Sequence, residues 1–354
     1  MKQHEIVIQG RRIGPGLPAY IIAELSANHR QNYDQAVAIV HAAKAAGADA
    51  IKLQTYTADT ITIDCRTGPF VVGEGTIWKG RNLHDLYHEA HTPWDWQPML
   101  KAVADSLGLH CFSSPFDVTA VDFLEKMAVP AYKIASFELV DIPLIEKVAR
   151  TGKPVIMSTG MGTLAEIDGA VRAFRNAGGE SLALLKCTSA YPAQPEEMNL
   201  LTIPHLSGAF AVPVGLSDHS LCIEVPVAAI TLGACIIEKH LTLSRSNPGP
   251  DSAFSLEPAE FKAMVDAVRT TERALGAVSY EVSPRESKSR IFRKSLFVVR
   301  DIKAGEAFTA DNVRSIRPGS GLAPVCLPQV IGSLATRDLS RGTALELPHI
   351  AFKG

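Results

Sequence analysis

The sequence predicts a (β/α)8 TIM barrel followed by a small second domain, and three observations carry that expectation. Eight short apolar runs each end in a polar cluster. Segments with helical periodicity separate most of these runs. After Tyr280 the texture changes to a polar, charged stretch and then to short strand-like pieces. Strand and helix alternating eight times is the pattern of a barrel whose C-terminal strand ends converge on one mouth, where the active site sits. The polar tips are therefore expected to be neighbours in space.

The runs lie at residues 20–24, 49–54, 110–114, 131–136, 154–159, 182–188, 212–219 and 235–240. Between them, residues 33–46 carry an apolar stripe at Ala36, Val37, Val40 and Ala43 that stops at Gly47. Residues 95–107 end at Gly108, and 118–127 follow Asp117, a suitable N-cap. Residues 142–150 end at Thr151-Gly152. Residues 163–177 open with Thr163-Leu-Ala-Glu166, a capping box, and 258–275 have Pro near the first turn and stop at Gly276. An insertion at 56–93 separates the second run from its helix and holds Trp78, Arg81, His84, Tyr87 and His91. Long loops of this kind build lids and pockets, or pack on their own aromatics as surface excursions. The expected organisation is a barrel over 1–280, a linker over 281–294 and a small domain over 295–354. In that last part Val299-Arg-Asp-Ile-Lys-Ala-Gly305 and Thr336-Arg-Asp-Leu-Ser-Arg-Gly342 form a weak internal echo. About 60 residues is marginal for an independent core, so this domain is expected to dock on another surface.

Composition narrows the function. Hydrophobic content of 46%, charged content of 20% and a net charge of −2 suit a globular enzyme and give no basic footprint for nucleic acid or an anionic membrane. The longest apolar stretch, 225–237, is broken by Thr231 and Gly233 and falls short of the roughly 18 residues of a membrane span. The N-terminus lacks a signal peptide's apolar core. The cysteines at 65, 111, 187, 222, 235 and 326 form no Cys-x-x-Cys pair, as expected of free thiols in a reducing cytoplasm.

The strand tips carry the candidate chemistry. His219 and His240 end the seventh and eighth runs, adjacent in a closed barrel, where two imidazoles can share one divalent metal. Glu24, next around the ring, is placed to meet that metal through water or to meet substrate. Lys52, Lys133 and Lys186 end the second, fourth and sixth runs. An unpaired buried ammonium costs several kcal/mol, on the order of its desolvation penalty, so each needs an anionic partner. A phosphate and a carboxylate at the mouth would serve, helped by Ser113, Ser114, Ser136, Ser158 and Thr159. Salt bridges to Asp and Glu, and plain helix caps, are the alternatives, and a Schiff-base lysine as in barrel aldolases is a third. The turn Ser158-Thr-Gly-Met-Gly162 either offers backbone N–H groups to an oxyanion or is an ordinary tight turn.

Taken in order, the motifs resemble the sialic acid synthase family, the phosphoenolpyruvate-dependent nonulosonic acid synthases. They are Ala23-Glu-Leu-Ser-Ala-Asn-His29, Lys52-Leu-Gln-Thr, Tyr132-Lys-Ile-Ala-Ser136, Ser158-Thr-Gly-Met161, Lys186-Cys-Thr-Ser-Ala-Tyr-Pro192, Gly215-Leu-Ser-Asp-His219, Glu238-Lys-His240 and Asn247-Pro-Gly-Pro-Asp251. The tail from Ser295, with Arg317-Pro-Gly, resembles the antifreeze-like (SAF) domain of these enzymes. The resemblance covers nearly the whole chain. Within the family the chain is most similar to the branch that makes pseudaminic acid. Ala23-Glu-Leu-Ser-Ala-Asn-His stands where N-acetylneuraminate synthases have Glu-Ile-Gly-x-Asn-His. Ile77-Trp78 and Leu83-His-Asp-Leu-Tyr87 mark the insertion, and Lys186-Cys-Thr-Ser replaces His-Cys-Thr-Asn. That last departure puts a hydroxyl, Ser189, where an amide is usual.

The resemblance implies a transferase that condenses phosphoenolpyruvate with an open-chain amino-sugar aldehyde, giving a nine-carbon 2-keto acid and phosphate. The expected sugar is 2,4-diacetamido-2,4,6-trideoxy-altrose, with the manno isomer that leads to legionaminic acid and N-acetylmannosamine as alternatives. It further implies Mn2+ or Mg2+ on His219 and His240, with Glu24 facing positive charge that develops at C2 of phosphoenolpyruvate. Phosphoenolpyruvate contacts would come from Lys52, Lys133, Ser136, Ser158, Ser189 and Ser217, with Ser113 beside them. Sugar contacts would come from Asn28, Tyr191, Asp251 and Arg317. Arg317 would arrive from a partner subunit in a homodimer with swapped caps. A reading from another class, a non-catalytic sugar-binding protein on a retired barrel, sits poorly with intact Glu24, His219, His240 and the lysines.

Overall fold

A computed structural model of the chain describes residues 5–352. Two compact units, Met1–Gly276 and Ala277–Gly354, each enclose their own apolar core. The first opens with a hairpin absent from the sequence expectation, in which β1 (Ile6–Ile8) pairs antiparallel with β2 (Arg11–Ile13). Its turn residues Gln9 (φ 45°) and Gly10 (φ 80°) are both left-handed, the primed geometry whose twist suits two-residue hairpins.

Eight parallel strands follow: β3 (Tyr20–Glu24), β4 (Ala50–Thr55), β5 (His110–Pro115), β6 (Tyr132–Ile134), β7 (Val155–Ser158), β8 (Leu182–Cys187), β9 (Val214–Asp218) and β10 (Ile236–His240). They close in the order β10-β3-β4-β5-β6-β7-β8-β9, so each expected run supplies one stave of a TIM barrel. At the N-terminal end Asp49 ties three elements together. It binds Arg11 of the hairpin (2.6 Å), Arg269 of the last barrel helix (3.0 Å) and the Ile21 N–H of β3 (2.9 Å).

Helices Tyr33–Ala45, Trp96–Ser106, Val118–Lys126, Ile142–Ala149, Leu164–Asn176 and Pro258–Leu275 fall within a residue or so of the periodic segments. Asp117 caps through the N–H groups of Thr119 and Ala120, and Thr163 and Glu166 form their capping box. Two further helices, Thr202–Phe210 and Glu224–Thr231, carry internal Pro or Gly and little amphipathic signature. The second shares the apolar stretch 225–237 with β10. Among the described residues no helix is long and apolar enough to cross a membrane.

Register decides which tips face the mouth. Alternate residues of a strand share a face, and paired residues of parallel strands do too. His240 pairs with Glu24, Glu24 with Lys52, and Glu238 with Ser217, all facing inward. Ser113 pairs with Leu53 and Tyr132 and faces the helices instead. Lys186 pairs with Leu216 and also turns outward, while Cys187 pairs with inward Ser217.

In the second unit a helix (Pro284–Ser289) and a 3-10 turn (Arg290–Phe292) occupy most of 281–294. β11 (Ser295–Val298) pairs with β12 (Val313–Ile316), and β13 (Leu334–Ala335) with β14 (Ile350–Ala351), all antiparallel. The core gathers Leu296, Val298, Ile302, Phe308, Val313 and Leu345. The two echo segments pair with one another. Ile302 and Leu339 exchange both backbone hydrogen bonds (2.9 and 2.8 Å). Asp301 accepts from Arg341 N–H (2.7 Å), and Asp338, its counterpart, accepts from Ala304 N–H (2.9 Å).

One ion pair on the outer face of the barrel strands is fully buried: Lys239 Nζ lies 2.5 Å from Asp218 Oδ2 and also donates to Ser220 O. Breaking such a pair strands a charge in a dry site. Lys239→Ala is expected to lower the unfolding free energy by about 3–5 kcal/mol. The double variant Asp218→Leu/Lys239→Met should recover most of that loss, as read by urea denaturation.

Candidate active site

A cavity of about 380 Å³ opens at the C-terminal ends of the barrel strands. Its floor is ionic. Lys52 Nζ lies 2.7 Å from Glu24 Oε2 and 3.3 Å from Glu238 Oε1, and donates to Ser114 Oγ (3.3 Å). Lys133 Nζ donates to Ser158 Oγ (2.6 Å) and Ile134 O (3.1 Å), with Glu238 Oε1 at 3.7 Å. The two lysines thus already have carboxylate partners from the chain itself, the salt-bridge alternative raised above. Lys133 is tethered on three sides, and burial lowers it from its ordinary value against the pull of Glu238.

The two carboxylates divide one proton between them. Burial raises Glu24 to about 7 against the pull of Lys52, and neighbouring Glu238 adds to the rise. Glu238 is buried as deeply, but Lys133 and Lys52 flank it, and their charges take it below its ordinary value. Glu238 is therefore the readier of the two to carry negative charge, and Glu24 the readier to hold a proton. Glu24 does not line the cavity; it sits behind Lys52, with Oε1 accepting the Ser26 N–H (3.1 Å). Its Oε2 lies close to the Lys52 ammonium but off hydrogen-bond geometry.

The imidazoles of His219 and His240 stand 5.3 Å apart, centroid to centroid, on the cavity wall. His219 Nδ1 donates to Thr188 O (2.9 Å), and His240 Nδ1 meets Ser26 Oγ (3.1 Å). No Nε2 partner exists for either ring among the described residues, so both lone pairs are available. That arrangement fits a divalent ion, since ligating histidines are fixed through the other ring nitrogen. Among the described residues no group of three or more His, Cys, Asp or Glu gathers there, so an ion held by the two rings would need its other ligands from water or substrate. Burial takes His240 well below its ordinary value and keeps it neutral. Burial also opposes charge on His219, but Cys187 and its hydrogen bond raise it. Cys187 is itself brought down to about 6: burial resists, and His219 outweighs it. An ion on His219 therefore competes with a proton.

The wall opposite is apolar, and the 56–93 insertion builds it. Ile61, Val72, Leu83, Leu86 and Tyr87 line the cavity, with Trp78 beside Tyr191 (5.6 Å) and Phe254 (6.3 Å). Trp78 Nε1 donates to Pro250 O (2.9 Å), anchoring the insertion on the loop after β10. Asn82 caps the helix Leu83–Ala90. A carboxyl also lines the cavity: Glu138, raised by burial to about 7, with Oε2 buried and unpaired.

Of the residues expected at the site, Lys52, Lys133, Ser136, Ser158, Ser217, His219, His240, Tyr191 and Asp251 line this one cavity. Four do not. Ser113 is a correction: it faces outward, its hydroxyl 2.6 Å from Thr55 Oγ1, and Ser114 takes the inward place. Asn28 commits its amide nitrogen to Leu241 O (3.0 Å) and Ser255 Oγ (2.9 Å), behind the cavity. Ser189 packs on Cys187 Sγ (3.8 Å) outside the lining, and Glu24 lies beneath it. Arg317 belongs to the second unit, where it is exposed. Lys186 turns away to Cys187 O (2.8 Å). The Ser158–Gly162 turn proves to be a tight turn: Gly160 N–H donates to Ser136 Oγ (3.1 Å), and a Cβ there would collide with the hydroxyls of Ser136 and Ser189. Glu138 and Cys187 were missing from the expected set, Ser114 stood in it only as a neutral donor, and Glu238 was given no role of its own. Alternation from His240 could have marked Glu238; nothing in the sequence marks Glu138.

The comparisons with known proteins agree with this geometry. The NeuB family profile matches residues 39–280, and the SAF domain profile matches 293–351. The chain belongs to the NeuB family. Among NeuB-family relatives, pseudaminic acid synthase of Helicobacter pylori is 44% identical over 334 residues, 94% of this chain and 98% of that one. N,N'-diacetyllegionaminic acid synthase of Legionella pneumophila is 36% identical, covering 95% and 96%. The solved N-acetylneuraminic acid synthetase of Leptospira borgpetersenii, in complex with citrate, superposes with a TM-score of 0.72 at 32% identity, over 81% of this chain and 95% of that one.

The raised carboxyls have a measurable consequence. Glu24 and Glu138 both move from 4.5 to about 7, so the folded chain keeps protons that the unfolded chain releases. Their contribution to stability is full below pH 4.5 and is lost as pH rises through about 7. In urea unfolding, the parent should lose stability relative to Glu24→Gln/Glu138→Gln across that window; parallel curves would contradict the assignment.

Proposed function

We propose that this enzyme condenses phosphoenolpyruvate with 2,4-diacetamido-2,4,6-trideoxy-altrose, releasing phosphate and pseudaminic acid. One observation carries the reading: the ionic floor, the paired imidazoles and the apolar wall open on a single cavity. Identity of 44% to a relative named for this product, against 36% to one named for legionaminic acid, supports the choice of sugar.

Phosphoenolpyruvate brings a phosphate and a carboxylate. Lys52 and Lys133, with the hydroxyls of Ser136, Ser158 and Ser217, offer charged and neutral donors within one cradle. Glu238 and Glu24 hold both ammonium groups in place before substrate arrives, so little reorganisation accompanies binding. A divalent ion on His219 and His240, Mn2+ or Mg2+, would supply Lewis acidity toward the aldehyde. C3 of phosphoenolpyruvate then bonds to C1 of the sugar, whose oxygen gains a proton. Water adds to C2, and the C2–O bond to phosphate breaks. Two carboxyls near 7, Glu24 beneath Lys52 and Glu138 in the wall, are suited to take and return protons at neutral pH. Holding the two reactants together is worth effective molarities of about 10⁵ M or more in favourable cases.

An apolar wall suits a sugar without a 6-hydroxyl. A methyl group set there gains roughly 0.8 kcal/mol from burial, whereas a hydroxyl without a partner costs about 1–3 kcal/mol. We also propose a homodimer in which Arg317 binds the sugar. Arg317 is exposed and has no hydrogen-bond or carboxylate partner among the described residues, as suits a side chain whose partner lies elsewhere.

Phosphate release should be measured with phosphoenolpyruvate and three sugars side by side. The trideoxy-altrose should be turned over fastest, its manno isomer less well, and N-acetylmannosamine about 10-fold or more slower, as the wall's cost implies. Equal rates would exclude the wall's role. Chelation should abolish the reaction, and Mn2+ or Mg2+ should restore it. Arg317→Ala should raise KM for the sugar and leave KM for phosphoenolpyruvate near the parent value; unchanged sugar kinetics would remove Arg317 from the site.

A further inference from the structure

The insertion leaves the barrel after β4 and rejoins it at Thr92, and its base is pinned at both ends. Gln97 Nε2 donates to Gln54 O (3.3 Å) and to Thr92 O (3.2 Å), and Trp94 Nε1 donates to Tyr56 O (3.1 Å). Beyond that base, side-chain hydrogen bonds join residues 57–91 to the rest of the chain at two places among the described residues. Gln31 holds the carbonyls of Glu89 and His91, near the base. Trp78 Nε1 reaches past β3 to Pro250 O (2.9 Å), in the loop after β10. Asp251 comes next in the chain and lines the cavity. The same indole packs on Phe254, three residues beyond Asp251 (6.3 Å, edge to face), and on Tyr191 (5.6 Å). One side chain of the insertion thus brackets Asp251 on both sides along the chain.

We propose that Trp78 is a positioning residue for the sugar, acting through Asp251: its indole N–H sets where Asp251 stands in the cavity. The proposal rests on the reaction proposed above, with Asp251 as a sugar contact. The Pro250 carbonyl and the Asp251 nitrogen belong to one rigid peptide plane. Fixing the oxygen fixes the tilt of that plane, and with it the direction in which Asp251 leaves it. No other group donates to Pro250 O among the described residues. The segment before Asp251, Asn247-Pro-Gly-Pro250, contains two prolines without N–H groups, so it has few donors with which to anchor itself. On its other side Asp251 is already held. Its Oδ2 accepts the Ala27 N–H (3.1 Å), and its carbonyl accepts from Ser255 Oγ (2.7 Å). The bond from Trp78 completes the restraint and ties it to the insertion. An indole nitrogen can only donate, and this one is spent on Pro250 O. Trp78 therefore offers the sugar no hydrogen bond of its own.

Trp78→Phe keeps a ring against Tyr191 and Phe254 and removes the donor. KM for the trideoxy-altrose and for phosphoenolpyruvate should be measured, with Mn2+ supplied, in the parent, Trp78→Phe, Asp251→Asn and the double variant. Trp78→Phe should raise KM for the sugar about 3–10-fold, the loss expected for one neutral hydrogen bond, and leave KM for phosphoenolpyruvate near the parent value. Because the effect passes through Asp251, the double variant should be no worse than Asp251→Asn, within about twofold; independent roles would multiply. Hydrogen exchange read by mass spectrometry should show residues 247–255 exchanging faster in Trp78→Phe, with the barrel strands unchanged. An unchanged KM for the sugar, losses that multiply in the double variant, or an equal rise in KM for phosphoenolpyruvate would each overturn the proposal. If Asp251→Asn left KM for the sugar at the parent value, the reading of Asp251 as a sugar contact would fail instead. The exchange of 247–255 would then still decide whether Trp78 sets this loop, and unchanged exchange there would refute it.

Discussion

Two ammonium groups and two carboxyls share the floor of the barrel mouth, and most of what surrounds them answers to the demand that none be left alone. Lys52 cannot stay buried without Glu24 and Glu238, and Lys133 leans on Glu238 and Ser158. Their attraction roughly offsets the cost of taking them out of water, so the cluster adds little net stability. What it gains is order. Charges already fixed in a dry site need no rearrangement when an anionic substrate arrives. The requirement also reaches outward, because β3, β4, β6 and β10 must each present the right parity of residue to the centre. A slip of one residue on any of them would exchange an ionic face for an apolar one.

Parity marks the limit of what was legible. The eight runs, and six helices between them, could be read because apolar periodicity and caps such as Asp117 and Thr163 are local signals. Ser113 against Ser114, and Lys186 against Cys187, could not be decided from the runs alone. Two neighbouring polar residues at a strand end look alike until pairing shows which one shares a face with Lys52 or Ser217. The hairpin over Ile6–Ile13 escaped because Gln9-Gly10 is a weak turn signal beside Asn-Gly or Asp-Gly. The helices Thr202–Phe210 and Glu224–Thr231 escaped because Pro204, Gly208 and Pro226 interrupt them and packing supplies what propensity lacks. Lys52 and Lys133 do have anionic partners, which turned out to be part of the chain, whereas Lys186 needs none and meets a carbonyl and a hydroxyl.

The cavity sets two chemistries face to face. Strand tips supply charge, hydroxyls and imidazoles, whose positions the barrel fixes rigidly. The insertion supplies hydrocarbon, from a helix and loop held by Trp78 on Pro250 O and by Gln31 on the carbonyls of Glu89 and His91. Charge and hydrocarbon in this cavity therefore come from separate pieces of structure, the strand ends and the insertion.

The second unit shows a different economy. Asp301 completes the turn that begins at Arg341, and Asp338 completes the one at Ala304, with Ile302 and Leu339 paired between them. Each half lends the other its missing acceptor, in the manner of two hands clasped at the wrist. Neither half can keep its turn without the other, so a module this small behaves as one indivisible piece. Loosening either wrist would free both hands together.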